Sequence, residues 1–307
     1  MNTQQFNTPL RCVFFGSDAF AVTVLEHLLA RPDIVTIVGV VCRPGRLPAV
    51  TATPTTAQLL QPTKLDTSFF ESYMELRPDI AVVASYGAII PQRVLDVAAA
   101  GTWNVHPSLL PLFRGPTPVE TALREGAHQT GVSIMLLDAL MDHGPIFARE
   151  TYSIPPGIYA PELRQELSTL GGSLLVKTLE QYIRQPFAPE EQDHTAATYT
   201  TKITTANTAI DLVHQSLPDI AALVHSCPGE AWFTLASGRR VAVIAATHST
   251  SDTPAERSFV ATKRAIQLVD GTDVLTFDVV QVAGGRPIDA QQFANGYRAQ
   301  LPDPTRK

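Results

Sequence analysis

Apolar runs and amphipathic segments alternate in the first third of the chain. Leu10 to Phe15 is an apolar run that ends at Gly16, and after it apolar residues recur at helical spacing as far as Leu29. Asp18 precedes this periodic segment and is the expected N-cap, because its short side chain can accept a hydrogen bond from the first turn. A second run, Ile34 to Val41, is rich in β-branched residues and suits a strand buried on both faces. The pattern predicts a β-α-β unit with parallel strands.

The same alternation continues through the middle of the chain. It predicts strands at Ile80 to Ala84, Thr102 to Val105, Gly131 to Leu137 and Ile146 to Ile154, and helices after Pro91, at Pro118 to Glu125 and at residues 161–184. The stretch from Arg43 to Thr63 has many prolines and threonines but few periodic apolar positions, which indicates a loop. A mostly parallel, Rossmann-like sheet with packed helices is therefore expected for residues 1–185.

The pattern changes in the last third of the chain. The apolar periodicity gives way to Pro, Glu, Asp and Thr at residues 186–205, which are predicted to be a linker. A helix at Leu217 to Ser226 then leads into short β-rich runs between Ala231 and Val282, and a last helix is predicted at Asp289 to Arg298. Glycine-containing turns separate several of these runs, so a small antiparallel barrel of the OB-like kind is expected at residues 206–307.

Composition limits the classes of protein that remain. Apolar residues make up 45% of the 307 residues and charged residues 17%, with a formal net charge of −6, which is typical of a globular protein and supplies no basic stripe for nucleic acid. The three cysteines lack a CxxC spacing, so neither a disulfide framework nor a zinc site is expected. No apolar stretch reaches the roughly 18 residues of a membrane span. We expect a cytoplasmic protein with no signal peptide, no membrane contact and no metal.

Three polar residues can carry acyl-type chemistry. Asn104 and His106 lie two residues apart at the predicted carboxyl end of a strand, where ligand sites form in open α/β sheets. Asn104 can donate to the oxygen of a tetrahedral species, and His106 can move a proton between an attacking amine and a leaving nitrogen. Asp142 can orient the imidazole and stabilise its cation. Each residue taken singly has a plain alternative, as a turn former or as a loop histidine with satisfied hydrogen bonds.

A family resemblance makes this hypothesis more specific. Several motifs are similar in order and spacing to those of the formyltetrahydrofolate-dependent formyltransferases, and the similarity covers nearly the whole chain. The motifs are Asn104-Val105-His106-Pro107-Ser108-Leu109-Leu110-Pro111, Arg114-Gly115, Thr130-Gly131-Val132, Met135, and Asp142 with Gly144. The resemblance implies a sheet with the formyltransferase topology and catalytic roles for Asn104, His106 and Asp142.

The resemblance also implies where donor and acceptor bind. The donor would be 10-formyltetrahydrofolate, a co-substrate, with its pterin ring held by two loops and by the turn after His106. The implied cofactor-binding positions are Ala88, Ile89, Ile90, Ser108, Leu109, Leu110, Pro111, Leu137 and Asp138. The implied substrate-binding positions are Phe15, Tyr86, Arg43 and Arg46.

Two acceptors remain open within this family. The flanking motifs most resemble the members that formylate initiator methionyl-tRNA, and they include Phe15 to Phe20, Tyr86-Gly87, Thr198-Tyr199 and Phe293 to Arg298. In those members the loop after the second strand is longer and basic, whereas only Arg43 and Arg46 remain here. Formyl transfer to a nucleotide-linked amino sugar is the alternative, and hydrolysis of the folate or a non-enzymatic binding module ranks lower. The tRNA interpretation assigns RNA binding to the C-terminal barrel and expects a monomer.

Overall fold

A seven-stranded sheet organises the first part of the chain, and most of its strands follow the apolar runs of the sequence. In this computed structural model, which describes residues 8–45 and 56–305, the strands are β1 (Leu10–Gly16), β2 (Val35–Val41), β3 (Gln58–Leu60), β4 (Ile80–Ala84), β5 (Thr102–His106), β6 (Gln129–Leu136) and β7 (Ile146–Ser153). Their order across the sheet is β3-β2-β1-β4-β5-β6-β7. The mostly parallel, Rossmann-like sheet expected from the sequence is confirmed.

Strand direction explains where a ligand site can form. β1 pairs in parallel with β2 and β4, β2 with β3, and β4 with β5, whereas β6 is antiparallel to both β5 and β7. The chain moves outward from β1 to β3 and then returns to β4 on the other side of β1. The carboxyl ends of β1 and β4 therefore meet at a switch point, which is the usual place for a ligand crevice in open α/β sheets.

Helices fill the connections between strands. They are α1 (Ala19–Leu29), α2 (Thr67–Glu75), α3 (Gln92–Leu95), α4 (Pro118–Arg124), α5 (Ala160–Arg184), α6 (Leu217–Ser226) and α7 (Ala290–Tyr297). Asp18 caps α1 as predicted, since its side chain accepts a hydrogen bond of 3.1 Å from the backbone N–H of Ala21. α5 comes close to the sheet because Gly171 has no side chain, and a Cβ there would lie 2.7 Å from a methyl carbon of Val105.

Two elements near the start of the chain differ from the sequence-based prediction. The end of the stretch predicted as a loop, Arg43 to Thr63, forms the edge strand β3, which is too short to show a pattern because only three residues pair with β2. The helix α2 has no counterpart in the prediction. Asp66 caps it, accepting from the N–H of Phe69 at 3.2 Å, and its apolar face reaches the core through Phe69 and Tyr73. Arg46 lies outside the described residues.

The second sheet is antiparallel and strongly curved. Its strands are β8 (Trp232–Thr234), β9 (Arg240–Ala261), β10 (Ile266–Val282) and β11 (Pro287–Asp289), in the order β11-β10-β9-β8. Most of the predicted short runs are parts of the long strands β9 and β10, whose pairing shifts register around Gly271 and again after Phe277. Such irregularities bend a strand and increase its twist. The prediction of a small, barrel-like C-terminal domain is confirmed, although Gly271 marks a bulge within a strand rather than a turn.

The described residues fall into two units that interleave along the sequence. One unit contains the seven-stranded sheet and draws on residues up to 118, 129–154 and 162–201. The other contains the four-stranded sheet and draws on residues 119–128, 155–161 and those from 202 onward. α4 belongs to the second unit through Arg124, which donates to the hydroxyl of Ser226 at 3.2 Å. The functional division into residues 1–185 and 206–307 stays a prediction.

The three cysteines are free and buried. Burial raises the pKa of the Cys12 thiol to about 12, so this group stays protonated at neutral pH. None of the helices in the described part of the chain is long and apolar enough to cross a bilayer.

Two helix glycines should respond to alanine with opposite signs. In Gly171→Ala the gain in helix propensity, about 1 kcal/mol, is outweighed by contact with Val105, because overpacking a core costs about 1–3 kcal/mol. Gly296 in α7 has nothing within 4 Å of a Cβ position, so Gly296→Ala should raise stability by about 0.5–1 kcal/mol. Denaturant unfolding followed separately for each unit measures both effects. A stabilising Gly171→Ala would contradict the close approach of α5 to β5.

Candidate active site

Asn104 and His106 lie on one face at the carboxyl end of β5. They are two residues apart in the strand, so their side chains leave it on the same side. β5 pairs with β4 on one side and with β6 on the other, and Asn104 and His106 pair with Met135 and Ser133 of β6. Asn104 is 9% exposed and His106 is 4% exposed. The structure therefore brings these two residues together in a buried, rigid part of the sheet.

The imidazole of His106 lies between a carbonyl and a carboxylate. Its Nε2 is 3.1 Å from the backbone oxygen of Phe113, a distance at which the ring N–H donates a hydrogen bond. Its Nδ1 is 3.6 Å from Oδ1 of Asp142, which is longer than a hydrogen bond. With the hydrogen on Nε2, the lone pair of Nδ1 is free to take up a proton. That proton would then be stabilised by the negative charge of Asp142.

Asp142 is held by the backbone of a neighbouring turn. Its Oδ2 accepts a hydrogen bond of 2.7 Å from the N–H of Gly115. Asp142 itself has a φ of +49°, in the left-handed region that Asp tolerates better than most residues. Phe113, whose carbonyl accepts from His106, has a φ of +59°. Both groups beside the imidazole thus come from backbone conformations that cost free energy and that surrounding contacts must maintain.

The side-chain amide of Asn104 makes no hydrogen bond to any residue that the structure describes. The amide of Asn104 is therefore available to a ligand. It can donate to an oxygen that gains negative charge beside His106.

The turn after β5 is fixed by a small network of hydroxyls. The hydroxyl of Ser108 donates to the carbonyl of Leu112 at 2.6 Å. The hydroxyl of Ser133 in β6 accepts from the N–H of Leu110 at 3.0 Å and donates to the carbonyl of Ser108 at 2.7 Å. Ser108 and Leu110 are buried, whereas Leu109 and Pro111 are half-buried. Of the turn's four predicted cofactor-binding residues, Leu109 and Pro111 are the more accessible.

Two other loops carry the remaining predicted cofactor-binding residues. Ile90 and Leu137 pack against the same core cluster, and Leu137 also contacts the cluster that contains Leu110. Ala88 is exposed and Ile89 is 93% exposed. No backbone N–H from residue 88 to residue 90 has an acceptor among the described residues. A flat heterocycle fits this arrangement, because exposed apolar side chains can cover its faces and free N–H groups can bind its edge.

Asp138 is tied to its own loop. One carboxylate oxygen accepts from the N–H of Leu140 at 2.9 Å, and the other lies 2.7 Å from Nδ1 of His143. The ring of His143 stacks on that of His194, with centroids 4.0 Å apart. Any contact of Asp138 with a ligand would therefore be made by a carboxylate whose position is already fixed.

The predicted substrate-binding residues Phe15, Tyr86 and Arg43 meet at the switch point between β1 and β4. Phe15 is fully buried, and its ring meets that of Tyr86 edge-on with centroids 5.4 Å apart. Burial raises the pKa of Tyr86, which keeps its phenol neutral. Arg43 is exposed, and its guanidinium donates to the carbonyl of Gly87 at 3.3 Å. Of these three, Arg43 is the residue that a ligand can reach from solvent.

The sequence-based prediction did not identify the residues that hold Asp142 in place. Gly115 was recognised only as part of a motif, and its N–H proves to hold Asp142. Gln192 lies in the stretch predicted as a linker, yet it is buried and donates to the carbonyl of Asp142 at 3.0 Å. No apolar pattern marks such a residue. A buried polar side chain can be found only when its partners are known.

Metal ligands are not grouped anywhere in the residues that the structure describes. Within 8–45 and 56–305, no cluster of three or more His, Cys, Asp and Glu side chains could hold a metal ion.

Comparison with known families places this chain in a class of enzyme that transfers an acyl group, the formyl group. A sequence model for formyl transferases matches residues 10–179, and a second one for the formyl transferase C-terminal domain matches residues 202–298. The chain belongs to the formyl transferase family.

Individual known proteins resemble this chain in sequence or in structure. A protein named methionyl-tRNA formyltransferase from Roseiflexus sp. is 38% identical, over 94% of this chain and 93% of its own length. Among solved structures, HypX from Aquifex aeolicus in complex with tetrahydrofolic acid matches 96% of this chain and 48% of its own, with a TM-score of 0.67 and 14% identity. An N-formyltransferase from Helicobacter canadensis, in complex with folinic acid and dTDP-3-aminofucose, matches 87% of this chain and 99% of its own, with a TM-score of 0.67 and 16% identity. The two solved structures share the fold.

Substitutions of Asn104 and Ser133 should affect stability differently, because the amide of Asn104 is available to a ligand whereas the hydroxyl of Ser133 supports the turn. Asn104→Leu leaves no partner unpaired, so stability should stay the same or rise by up to about 1 kcal/mol. Ser133→Ala leaves the N–H of Leu110 and the carbonyl of Ser108 unpaired, which should cost about 1–3 kcal/mol. Denaturant unfolding compares the two variants. Greater destabilisation by Asn104→Leu than by Ser133→Ala would show that the amide of Asn104 has a structural role.

Proposed function

We propose that this chain transfers the formyl group of 10-formyltetrahydrofolate to the α-amino group of initiator methionyl-tRNA. The observation that carries the proposal is the arrangement of Asn104, His106 and Asp142. An oxyanion donor shares a strand face with a proton acceptor, and a carboxylate oxygen lies 3.6 Å from that acceptor. Membership of the formyl transferase family supports formyl transfer. The Roseiflexus relative is named methionyl-tRNA formyltransferase, and the similarity covers nearly its whole length. This similarity supports methionyl-tRNA as the acceptor.

The folate supplies the formyl group, and the chain supplies a place for its pterin ring. The proposed site lies between the loop at Ala88 to Ile90 and the loop that begins at Leu137, with Leu109 and Pro111 at its side. Exposed Ile89 and half-buried Ile90 and Leu137 offer apolar cover. The backbone N–H groups of Ala88 to Ile90, which have no acceptor among the described residues, offer hydrogen bonds to the ring edge.

His106 and Asp142 act on the proton of the attacking amine. Nδ1 of His106 has a free lone pair, and Oδ1 of Asp142 lies 3.6 Å away. The N–H groups of an amine next to both atoms can be held by the carboxylate while Nδ1 removes a proton. Asn104 donates to the formyl oxygen as it gains negative charge in the tetrahedral intermediate. His106 then returns the proton to the leaving nitrogen of the folate, and the hydrogen bond to Phe113 keeps the ring in place throughout.

The charge of the C-terminal domain gives little support for a tRNA acceptor. From Ala206 to Lys307 the sequence has nine Lys and Arg against ten Asp and Glu. RNA binding by the C-terminal barrel would then depend on local groups more than on a broad basic surface, and its affinity would fall less steeply with salt. The proposal includes a monomeric, cytoplasmic enzyme in which Arg43 and Arg46 contact the acceptor.

A side-by-side assay identifies the acceptor. Purified protein and 10-formyltetrahydrofolate are offered charged initiator methionine tRNA, charged elongator methionine tRNA, and a nucleotide-linked amino sugar. We expect formylation of the initiator tRNA, with kcat/KM well above that for the other two. Formate release without any acceptor is measured in parallel, since it would reveal hydrolysis. Turnover of the sugar alone would replace the tRNA proposal with the sugar alternative.

Substitutions of His106 and Asp142 test their roles. His106→Ala removes the proton acceptor and should lower kcat by about 10²–10⁴-fold, the range typical of general acid–base catalysis. Asp142→Asn keeps a side-chain oxygen for the N–H of Gly115 but removes the charge, so kcat should fall while folding is unchanged. His128→Ala is the matched control, because His128 is exposed. Full activity in His106→Ala or Asp142→Asn would contradict the proposed mechanism.

A further inference from the structure

Gln192 is a buried side chain whose amide uses both of its ends. It is 4% exposed. Its Nε2 donates to the backbone carbonyls of Asp142 at 3.0 Å and Gly144 at 2.6 Å. Its Oε1 accepts two hydrogen bonds from the guanidinium of Arg114, at 3.2 and 2.7 Å. Gln192 thus connects Arg114 to the backbone of the loop that carries Asp142.

Arg114 determines which way round this amide lies. The guanidinium is 1% exposed, and no carboxylate in the described part of the chain forms an ion pair with it. Its other hydrogen bonds go to Nδ1 of His194 at 2.9 Å and to the hydroxyl of Tyr199 at 3.3 Å. A guanidinium carries donors and no acceptor, so the oxygen of Gln192 must face Arg114. The NH₂ group must then face the loop of Asp142.

The segment that contains Gln192, residues 192–200, also holds the backbone of Phe113 beside the imidazole of His106. The hydroxyl of Thr198 accepts from the N–H of Phe113 at 2.8 Å, and its carbonyl accepts from the N–H of Arg114 at 2.9 Å. The carbonyl of Phe113 is the one to which His106 donates. Residues 192–200 therefore fix the backbone on both sides of the His106 ring.

We propose that Gln192 is a positioning residue for formyl transfer. It holds the backbone of Asp142 in its left-handed conformation, so that the carboxylate stays beside Nδ1 of His106. The inference rests on the proposed function, because it takes Asp142 and His106 as the groups that carry the reaction. Without the two hydrogen bonds from Gln192, the N–H of Gly115 is the hydrogen-bond donor that still orients the carboxylate of Asp142 within the described part of the chain.

Gln192→Glu separates positioning from folding. One new carboxylate oxygen keeps the contact with Arg114 and gives that buried cation a countercharge, so the fold should persist. The other oxygen replaces the donor and faces the carbonyls of Asp142 and Gly144, which repels the loop. We expect kcat to fall about 10–100-fold, the loss typical of a misplacement on the order of 1 Å. KM for the acceptor should change by less than about twofold, because none of these contacts of Gln192 is with a residue proposed to bind the acceptor.

Gln185→Glu is the matched control. It makes the same chemical change a few residues earlier, at an exposed position, and should leave kcat and the unfolding midpoint unchanged. A wild-type kcat in Gln192→Glu would overturn the proposal. A fall in kcat that only follows the fraction of unfolded protein would also overturn it, since Gln192 would then be merely structural.

The wild-type assay keeps this test apart from the test of function. If wild type formylates an acceptor other than methionyl-tRNA, the function fails but the ratio of Gln192→Glu to wild type is measured with that acceptor. If wild type formylates none, a crystal structure of Gln192→Glu decides the inference. A carboxylate of Asp142 displaced from Nδ1 of His106 supports it, and an unmoved carboxylate overturns it.

Discussion

The ladder that holds β5 between β4 and β6 is the constraint on which the site depends. β5 cannot shift along its axis without breaking its pairing with β4, which ends at Asn104, and with β6, which continues to His106. Val105 lies between Asn104 and His106 in the strand, and α5 approaches it closely because Gly171 has no side chain. Catalytic groups must hold their geometry to within a fraction of an ångström, and a central strand gives that precision more readily than a loop does. Asp142 lies on a loop, so its position needs additional ties.

The parts of the fold that the sequence predicted are those with strong periodicity. β1, β2, β4 and α5 are long apolar or amphipathic segments, and their patterns are visible without any tertiary information. β3 and α2 were missed for different reasons. β3 pairs through three residues, and α2 buries only part of one short face. In the second sheet the sequence predicts a turn around Gly271, where β10 instead shifts register, because glycine is common in bulges and in turns alike.

The candidate site was predictable as residues but not as geometry. Asn104, His106 and Asp142 are predicted from their order and chemistry, whereas the carbonyl that accepts a hydrogen bond from the imidazole is not. It belongs to Phe113, whose side chain says nothing about the role of its backbone. The stretch at residues 186–205 shows the same limit. Its lack of apolar residues predicts a linker, and nothing in that pattern marks the hydrogen bonds of Gln192 to Asp142 or of Thr198 to Phe113.

Departures from ordinary folding rules gather around His106, and they point to the site independently of any motif. The side-chain amide of Asn104 has no hydrogen-bond partner among the described residues. Phe113 and Asp142 are two of the four described residues other than glycine that have positive φ. The two positive-φ conformations cost free energy, and both belong to residues that flank the imidazole of His106. Sequences that otherwise agree with their fold break its rules mainly where function requires it. The ordinary contacts of Gln192, Gly115 and Thr198 are then what allows the strained arrangement to persist.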